Sequence, residues 1–313
     1  MRVLVTGAAG FIGANLCRAL SDSDWCQSII GLDDLSTGFK QNLDGLDVEL
    51  VEGSILDVDL LEDLVNSVDR VIHLAAIPSV PRSIAEPMKS HLANATGTLN
   101  VLEAARPHGT HVIVASSSSV YGATPGMPKT PDMATRPMSP YAVSKLATEG
   151  YAIAYGHSYK LPTIAFRFFN VYGPLQPAGH AYAAVVPAFV EAALNRVPLP
   201  LNGDGTQSRD FTFVDTVTDV LCTASRDRVS SAIPVNLALG TNTTLVELID
   251  LISARLGYPL TVEKRPNRVG DVRASQADSS LLCEYFPNIR PKSLEEGLAA
   301  TIGWFQSSSV ETI

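Results

Sequence analysis

Arg2-Val3-Leu4-Val5-Thr6-Gly7-Ala8-Ala9-Gly10-Phe11-Ile12-Gly13 is the stretch that decides the fold. Its first five residues form a short apolar run that stops at a glycine, as a strand buried in a parallel sheet does. Ala14 to Leu20 read on as a helix. Strand, glycine turn and helix together turn a glycine pattern into a dinucleotide-binding hypothesis. Gly7, Gly10 and Gly13 let backbone N–H groups approach a pyrophosphate, whose charge the helix N-terminus favours. The spacing is GxxGxxG, not the commoner GxGxxG.

Outward from this turn, Ser28 to Leu32 predicts a second strand that ends at Asp33 and Asp34. Asp33 lies 20 residues after Gly13, where an acid grips the adenosine ribose hydroxyls. An aspartate at a strand end is otherwise a common loop residue, and its place after this turn favours the cofactor role. No arginine occurs between Arg18 and Arg70 to hold a 2′-phosphate, which favours NAD over NADP. Further strands are expected at Val48–Val51, Arg70–Leu74, His111–Ala115 and Thr163–Phe168, with a helix over Met88–Ala105 broken by Gly97. The fifth strand runs into Ser116-Ser117-Ser118-Ser119, at the carboxyl end where open α/β sheets bind ligands, although serines also make ordinary polar turns. Strands and helices alternate to about residue 170, so the expected class is α/β with one doubly wound parallel sheet.

Ser139-Pro140-Tyr141-Ala142-Val143-Ser144-Lys145 is the chemical centre. Ser139 suits an N-cap and Pro140 the first helical turn. Tyr141 and Lys145, four apart, share one helix face. An ammonium beside a phenol favours the phenolate, and a lowered pKa is what a tyrosine needs to act as a base near neutral pH. An ordinary amphipathic helix explains the pair equally well until the rest of the chain is considered.

Beyond Asn170 the texture changes to dense proline and glycine: Pro174, Pro177, Gly179, Pro187, Pro198, Pro200, Gly203 and Gly205. Helices are expected at Val185–Arg196, Thr216–Ser225, Leu245–Leu256 and Ser293–Phe305, and strands at Asp210–Val214, Val235–Leu239 and Leu260–Glu263. Thr243-Thr244 open the helix at Leu245, with Glu247 as a capping-box partner. This is a smaller α+β lobe. Its Arg209 and Arg268 are candidates for an anionic substrate group, and, each beside an aspartate (Asp210, Asp271), serve equally as structural ion pairs.

The 313 residues carry 46% hydrophobic and 18% charged side chains, as soluble globular chains do, and a net charge of −9, which argues against nucleic acid as a partner. Cys17, Cys26, Cys222 and Cys283 show no close pairing and no metal-ligand spacing, so free thiols in a cytoplasmic protein and no metal are expected. No signal peptide is visible, and the longest uncharged apolar run, Ala181–Val190, is too short for a bilayer and contains Pro187.

Gly7/Gly10/Gly13, Asp33, Asn94, the serine cluster, Tyr141-x-x-x-Lys145 and Arg167-Phe168-Phe169-Asn170-Val171-Tyr172-Gly173-Pro174 occur in one order. In that order they resemble an extended short-chain dehydrogenase/reductase of the NAD-dependent nucleotide-sugar epimerase/dehydratase group, from Met1 to about Phe305. The resemblance implies a Rossmann-like NAD-binding domain over residues 1–169, with segments near 210–240 returning to it, and a nucleotide-sugar lobe over 170–313. Within the group the chain is most similar to UDP-hexose 4-epimerases, through Asp34-Leu35-Ser36-Thr37-Gly38, Gly203 to Phe211 and Arg268-Val269-Gly270-Asp271.

The resemblance makes Tyr141 the base, Lys145 its partner and Ser117 the hydroxyl on the reacting oxygen, with Ser118 as the fallback. It implies NAD contacts from Gly7, Gly10, Phe11, Ile12, Gly13, Asp33, Asp34, Ser36, Thr37, Gly38, Ser54, Ile55, Leu74, Ala75, Ala76, Asn94, Tyr141, Lys145 and Phe169. It implies UDP-sugar contacts from Ser79, Ser117, Ser118, Tyr141, Asn170, Ala184, Val185, Leu201, Asn202, Arg209, Arg268, Asp271 and Ser275. Ser275 stands where glucose-restricted members carry a tyrosine, and the segments 79–84, 181–187 and 271–278 resemble N-acetylhexosamine 4-epimerases. The expected reaction is 4-epimerisation of UDP-N-acetylglucosamine, and of UDP-glucose as well, through a 4-keto sugar.

Two departures matter. Ser54 replaces the acid that commonly reads adenine, and Ser118-Ser119 replaces the Asp-Glu pair of 4,6-dehydratases, which argues against dehydration. The alternatives are a UDP-glucuronate epimerase (with His180 as the nearest cation), a 4-ketosugar reductase and a non-catalytic NAD-bound regulator. The family's dimers imply a four-helix bundle from the Tyr141 helix and the one ending near Ala105, although Ala142, Leu146, Ala147 and Ile153 serve equally as core.

Overall fold

The computed structural model describes residues 1–178, 183–266 and 273–308. Val3, Leu4 and Val5 are fully buried, because strand β1 (Arg2–Thr6) is covered on both faces. Burying such side chains stabilises the fold by roughly 1.5–3 kcal/mol each. Strands β2 (Ser28–Asp33), β3 (Glu49–Glu52), β4 (Arg70–His73), β5 (His111–Ser117), β6 (Thr163–Phe168) and β7 (Val235–Leu237) complete a seven-stranded sheet in the order β7-β6-β5-β4-β1-β2-β3. Every pair is parallel. The order reverses between β1 and β4, and a crevice opens at their carboxyl ends, as it does in doubly wound sheets.

Two apolar layers sandwich the sheet. Helix α1 (Phe11–Ser21) and a late helix, Val214–Arg226, share one core with Val5, Ile113 and Phe166. Helices α2 (Val58–Asn66), α3 (Gly97–Ala105) and α4 (Pro140–Tyr159) cover the other face, on Leu4, Val71 and Val112. A third core holds the smaller lobe together, with Phe189, Phe211, Phe213, Leu248 and Ile252. There Thr244 and Glu247 form the expected capping box on Leu245–Leu256.

Several boundaries differ from the sequence reading. The expected break at Gly97 is absent: Gly97 is helical, and the irregularity is a π-type turn, Leu92–Thr96, just before it. Gly97 is needed for space, since a Cβ there would sit 2.3 Å from Ile55. β5 runs on to Ser117, paired with Phe168 of β6. The expected strand Asp210–Val214 is two short pieces, Ser208–Arg209 and Thr212–Phe213, because Asp210 turns inward and is fully buried. Val262–Arg265 replaces the expected 260–263 and pairs with Leu199–Asn202, a strand that Pro200 disguised. Among the described residues no helix is long and apolar enough to cross a membrane.

Candidate active site

A cavity of about 1010 Å³ opens over the carboxyl ends of the central strands. One wall is the glycine turn, with Gly7, Gly10, Phe11, Ile12 and Gly13; beside it stand Asp33, Asp34, Ser36, Thr37, Ser54 and Ile55. The floor is Leu74, Ala75 and Ala76, and the far side carries Ser79, Ser117, Ser118, Tyr141, Lys145 and Asn170. A side chamber of about 190 Å³ continues from Asn170 and Ala184 to Val185, Asn202 and Arg209.

The turn is tight. Gly10 N–H donates to the Gly7 carbonyl, and a Cβ on Gly13 would lie 2.0 Å from that same oxygen. No side chain caps the N-terminus of α1, so its first N–H groups face the cavity, as an anion requires. Asp33 accepts the Ala9 N–H at 2.9 Å and the Leu35 N–H at 2.8 Å, one on each oxygen, which leaves lone-pair capacity for ligand hydroxyls. Burial raises its pKa against the pull of those bonds.

Ser139 caps α4 by accepting the Ala142 N–H, and the Tyr141 N–H is taken by the hydroxyl of Ser83. Lys145 is buried and donates to the Ala115 carbonyl at 2.9 Å; loss of water pushes its pKa down to about 8. Burial raises the pKa of Tyr141, and a hydrogen bond with Ser117 pulls it down. Ser117 Oγ accepts from the Ser119 N–H and hydroxyl at 3.2 and 2.9 Å. With those acceptor sites filled, Ser117 keeps its own hydroxyl proton for donation.

Five expected contacts do not line the cleft. Asn94 spends its amide on Ile77 N–H, Ile77 carbonyl and Ser144, and so ties the loop after β4 to α4. Phe169 packs against Tyr121, Leu201 lies in the small-lobe core, and Gly38 is pressed against Ala9. Ser275 is buried in register with Arg209. Arg268 and Asp271 lie outside the described residues. Asp210 is not the ion-pair partner expected for Arg209: it accepts the N–H groups of Leu239, Gly240 and Ala277 and the Thr241 hydroxyl.

The sequence reading missed Tyr172, Gln207, Phe211 and Leu245 in the side chamber, and Arg82 and Lys89 in the main cleft. Only the alternation at Gln207, Arg209 and Phe211 hinted at a shared face. Ser79 was expected, but its backbone was not: φ is 102°, a conformation that costs about 1–3 kcal/mol and clusters at ligand sites. Among the described residues no group of three or more His, Cys, Asp or Glu side chains is placed to hold a metal.

The family model for the NAD dependent epimerase/dehydratase family matches residues 3–238. The chain belongs to that family. It is 39% identical over 317 residues to a UDP-glucose 4-epimerase of Mycolicibacterium smegmatis, covering 99% of this chain and 100% of the relative. It superposes with a TM-score of 0.92 and 36% identity, over 98% of each chain, on a UDP-N-acetylglucosamine 4-epimerase of Methanobrevibacter ruminantium solved with UDP-N-acetylmuramic acid. A UDP-glucuronic acid 4-epimerase of Bacillus cereus, solved with UDP-glucuronic acid and NAD, gives 0.86 and 29% over 98% of this chain and 100% of that one. The family cofactor is NAD, and the residues here fit it. The Gly7–Gly13 turn suits a pyrophosphate, Asp33 suits ribose hydroxyls, and Ala75 and Ala76 leave room above β4.

Proposed function

We propose that this protein interconverts the 4-epimers of a UDP-hexose, UDP-N-acetylglucosamine foremost and UDP-glucose as well. The observation that carries the reading is that Ser117, Tyr141 and Lys145 meet in one cleft with the glycine turn and Asp33, while Ser118 and Ser119 offer no acid for dehydration. Tyr141, as phenolate, takes the proton of the sugar 4-hydroxyl and later returns it. Ser117 donates to the reacting oxygen, and Lys145 favours the phenolate over the phenol. Bound NAD supplies the redox partner. Asn170 and Arg209 hold the diphosphate while the 4-keto sugar turns to offer its other face.

The test is to incubate the pure protein with UDP-N-acetylglucosamine, and separately with UDP-glucose, adding no cofactor, and to follow the epimers by NMR. Conversion of the acetylated sugar is expected. Conversion of UDP-glucose alone removes the sugar assignment, and no conversion even with added NAD removes the reaction.

Arg82 and Lys89 in the main cleft favour a second reading, an acidic sugar such as UDP-glucuronate. His180, the cation considered for it, lies outside the described residues. A homodimer is part of the proposal. Val143 and Tyr151 on α4, with Met88 and Leu92 nearby in sequence to α3, are exposed apolar side chains, whereas Ala142 is core. Sedimentation at micromolar concentration tests it, and a monomer there counts against it.

A further inference from the structure

Three consecutive residues at the end of β5 face three residues of α4 that lie four apart. Ser117 lines the cleft together with Tyr141, the Ala115 carbonyl accepts the Lys145 ammonium at 2.9 Å, and between them the Ser116 hydroxyl donates to Glu149 Oε2 at 2.7 Å. Alternation along a strand explains the division of labour: Ser116 and Ser117 point to opposite faces, one toward the helix and one toward the cleft. Residues 141, 145 and 149 share one stripe of α4 because four residues make about one turn.

Glu149 is not held by Ser116 alone. Arg167 of β6 meets it in a two-point fork, Nη2 to Oε1 at 2.7 Å and Nε to Oε2 at 2.9 Å. Both side chains are sealed, at 4% and 3% exposure. The guanidinium also lies 4.6 Å over the Tyr121 ring, and the Tyr121 hydroxyl donates to Asn236 of β7 at 2.7 Å. The network therefore joins α4 to three neighbouring strands, β5, β6 and β7.

Burying a charge pair is an indifferent way to stabilise a core, because desolvation offsets most of the attraction, and apolar residues of equal volume often do as well. What a two-point fork supplies is direction and register. We propose that Glu149 is a positioning residue: held by Arg167 and coupled to β5 through Ser116, it sets the register of α4 against the strand end and so aligns Tyr141 with Ser117. The proposal rests on the catalytic reading of those two residues.

The decisive variant is Ser116→Ala. It removes one hydroxyl and leaves the Glu149–Arg167 fork intact, whereas Glu149→Gln leaves Arg167 buried without its counter-charge and risks misfolding. The measurements are kcat per bound NAD, KM, NAD content and thermal midpoint, with whichever UDP-sugar the wild type converts. Misalignment of reacting groups is costly, so kcat per folded, NAD-bound protein is expected to fall about tenfold, with KM and NAD content unchanged and the midpoint lowered by the loss of one buried hydrogen bond. Ser116→Thr, which keeps the hydroxyl, restores most of it. An unchanged kcat in Ser116→Ala beside an active wild type overturns this proposal alone. So does a loss that tracks the folded or NAD-containing fraction, or a Thr variant that restores nothing. A wild type that converts neither sugar overturns it together with the function on which it rests.

Discussion

On the dinucleotide side of the cleft the walls are mostly backbone: the Gly7–Gly13 turn, the open end of α1 and the small residues after β4. On the side proposed for the sugar nucleotide they are side chains carried by short strands and loops far apart in the chain, such as Asn170, Asn202, Gln207, Arg209 and Phe211. A backbone wall tolerates almost no change at its glycines but needs no particular side chain. A side-chain wall is tuned one residue at a time. On the proposed function, the first half would hold one cofactor rigidly, while the second could be retuned among sugars without disturbing it.

The largest expected effect comes from Gly13→Ala. Its Cβ would lie 2.0 Å from the Gly7 oxygen, so the turn must open. We expect NAD affinity to fall at least about 100-fold, roughly 2.7 kcal/mol, with UDP affinity within about twofold by calorimetry. Unchanged NAD affinity would break the comparison. Next, Arg209→Met should weaken UDP binding about 10- to 100-fold, the worth of one or two charge-assisted hydrogen bonds, while bound NAD stays constant. Loss of NAD in that variant would show the two walls to be one cooperative unit.

The smallest effect concerns acid. His73 is buried between the Thr6 and Thr98 hydroxyls at 2.7 and 3.0 Å, and burial, foremost, pushes its pKa down to about 3. A folded-state pKa below the unfolded value near 6.5 means that the unfolded chain takes up the proton first. Stability then falls as pH drops below about 6.5, by up to about 1.4 kcal/mol per unit for this group. Urea unfolding between pH 7 and 5 measures the slope, and His73→Asn should make it shallower by about that amount. An unaltered slope would mean that His73 titrates freely.

The same contrast explains what was legible. Six of the sheet's seven strands, the glycine turn, Asp33 and the spacing of Tyr141 and Lys145 obey short-range rules, so they could be read from residues 1–170 in order, whereas β7 comes from residues 235–237. Asn94 was read as a cofactor contact because its place in the chain says nothing of where its amide turns. In the structure that amide is consumed by Ile77 and Ser144. Pro200 hid a strand that exists because Val262–Arg265 lies alongside it, a partner more than sixty residues away.

By itself, then, the sequence determined the α/β class, the dinucleotide turn and the Tyr141–Lys145 helix, because strand periodicity, glycine geometry and helical spacing act over a few residues. Only the tertiary structure decided that the Lys145 ammonium rests on Ala115 and that Glu149 is locked between Arg167 and Ser116. Those choices turn on which polar groups are sealed from water together, and burial is a property of the packed molecule.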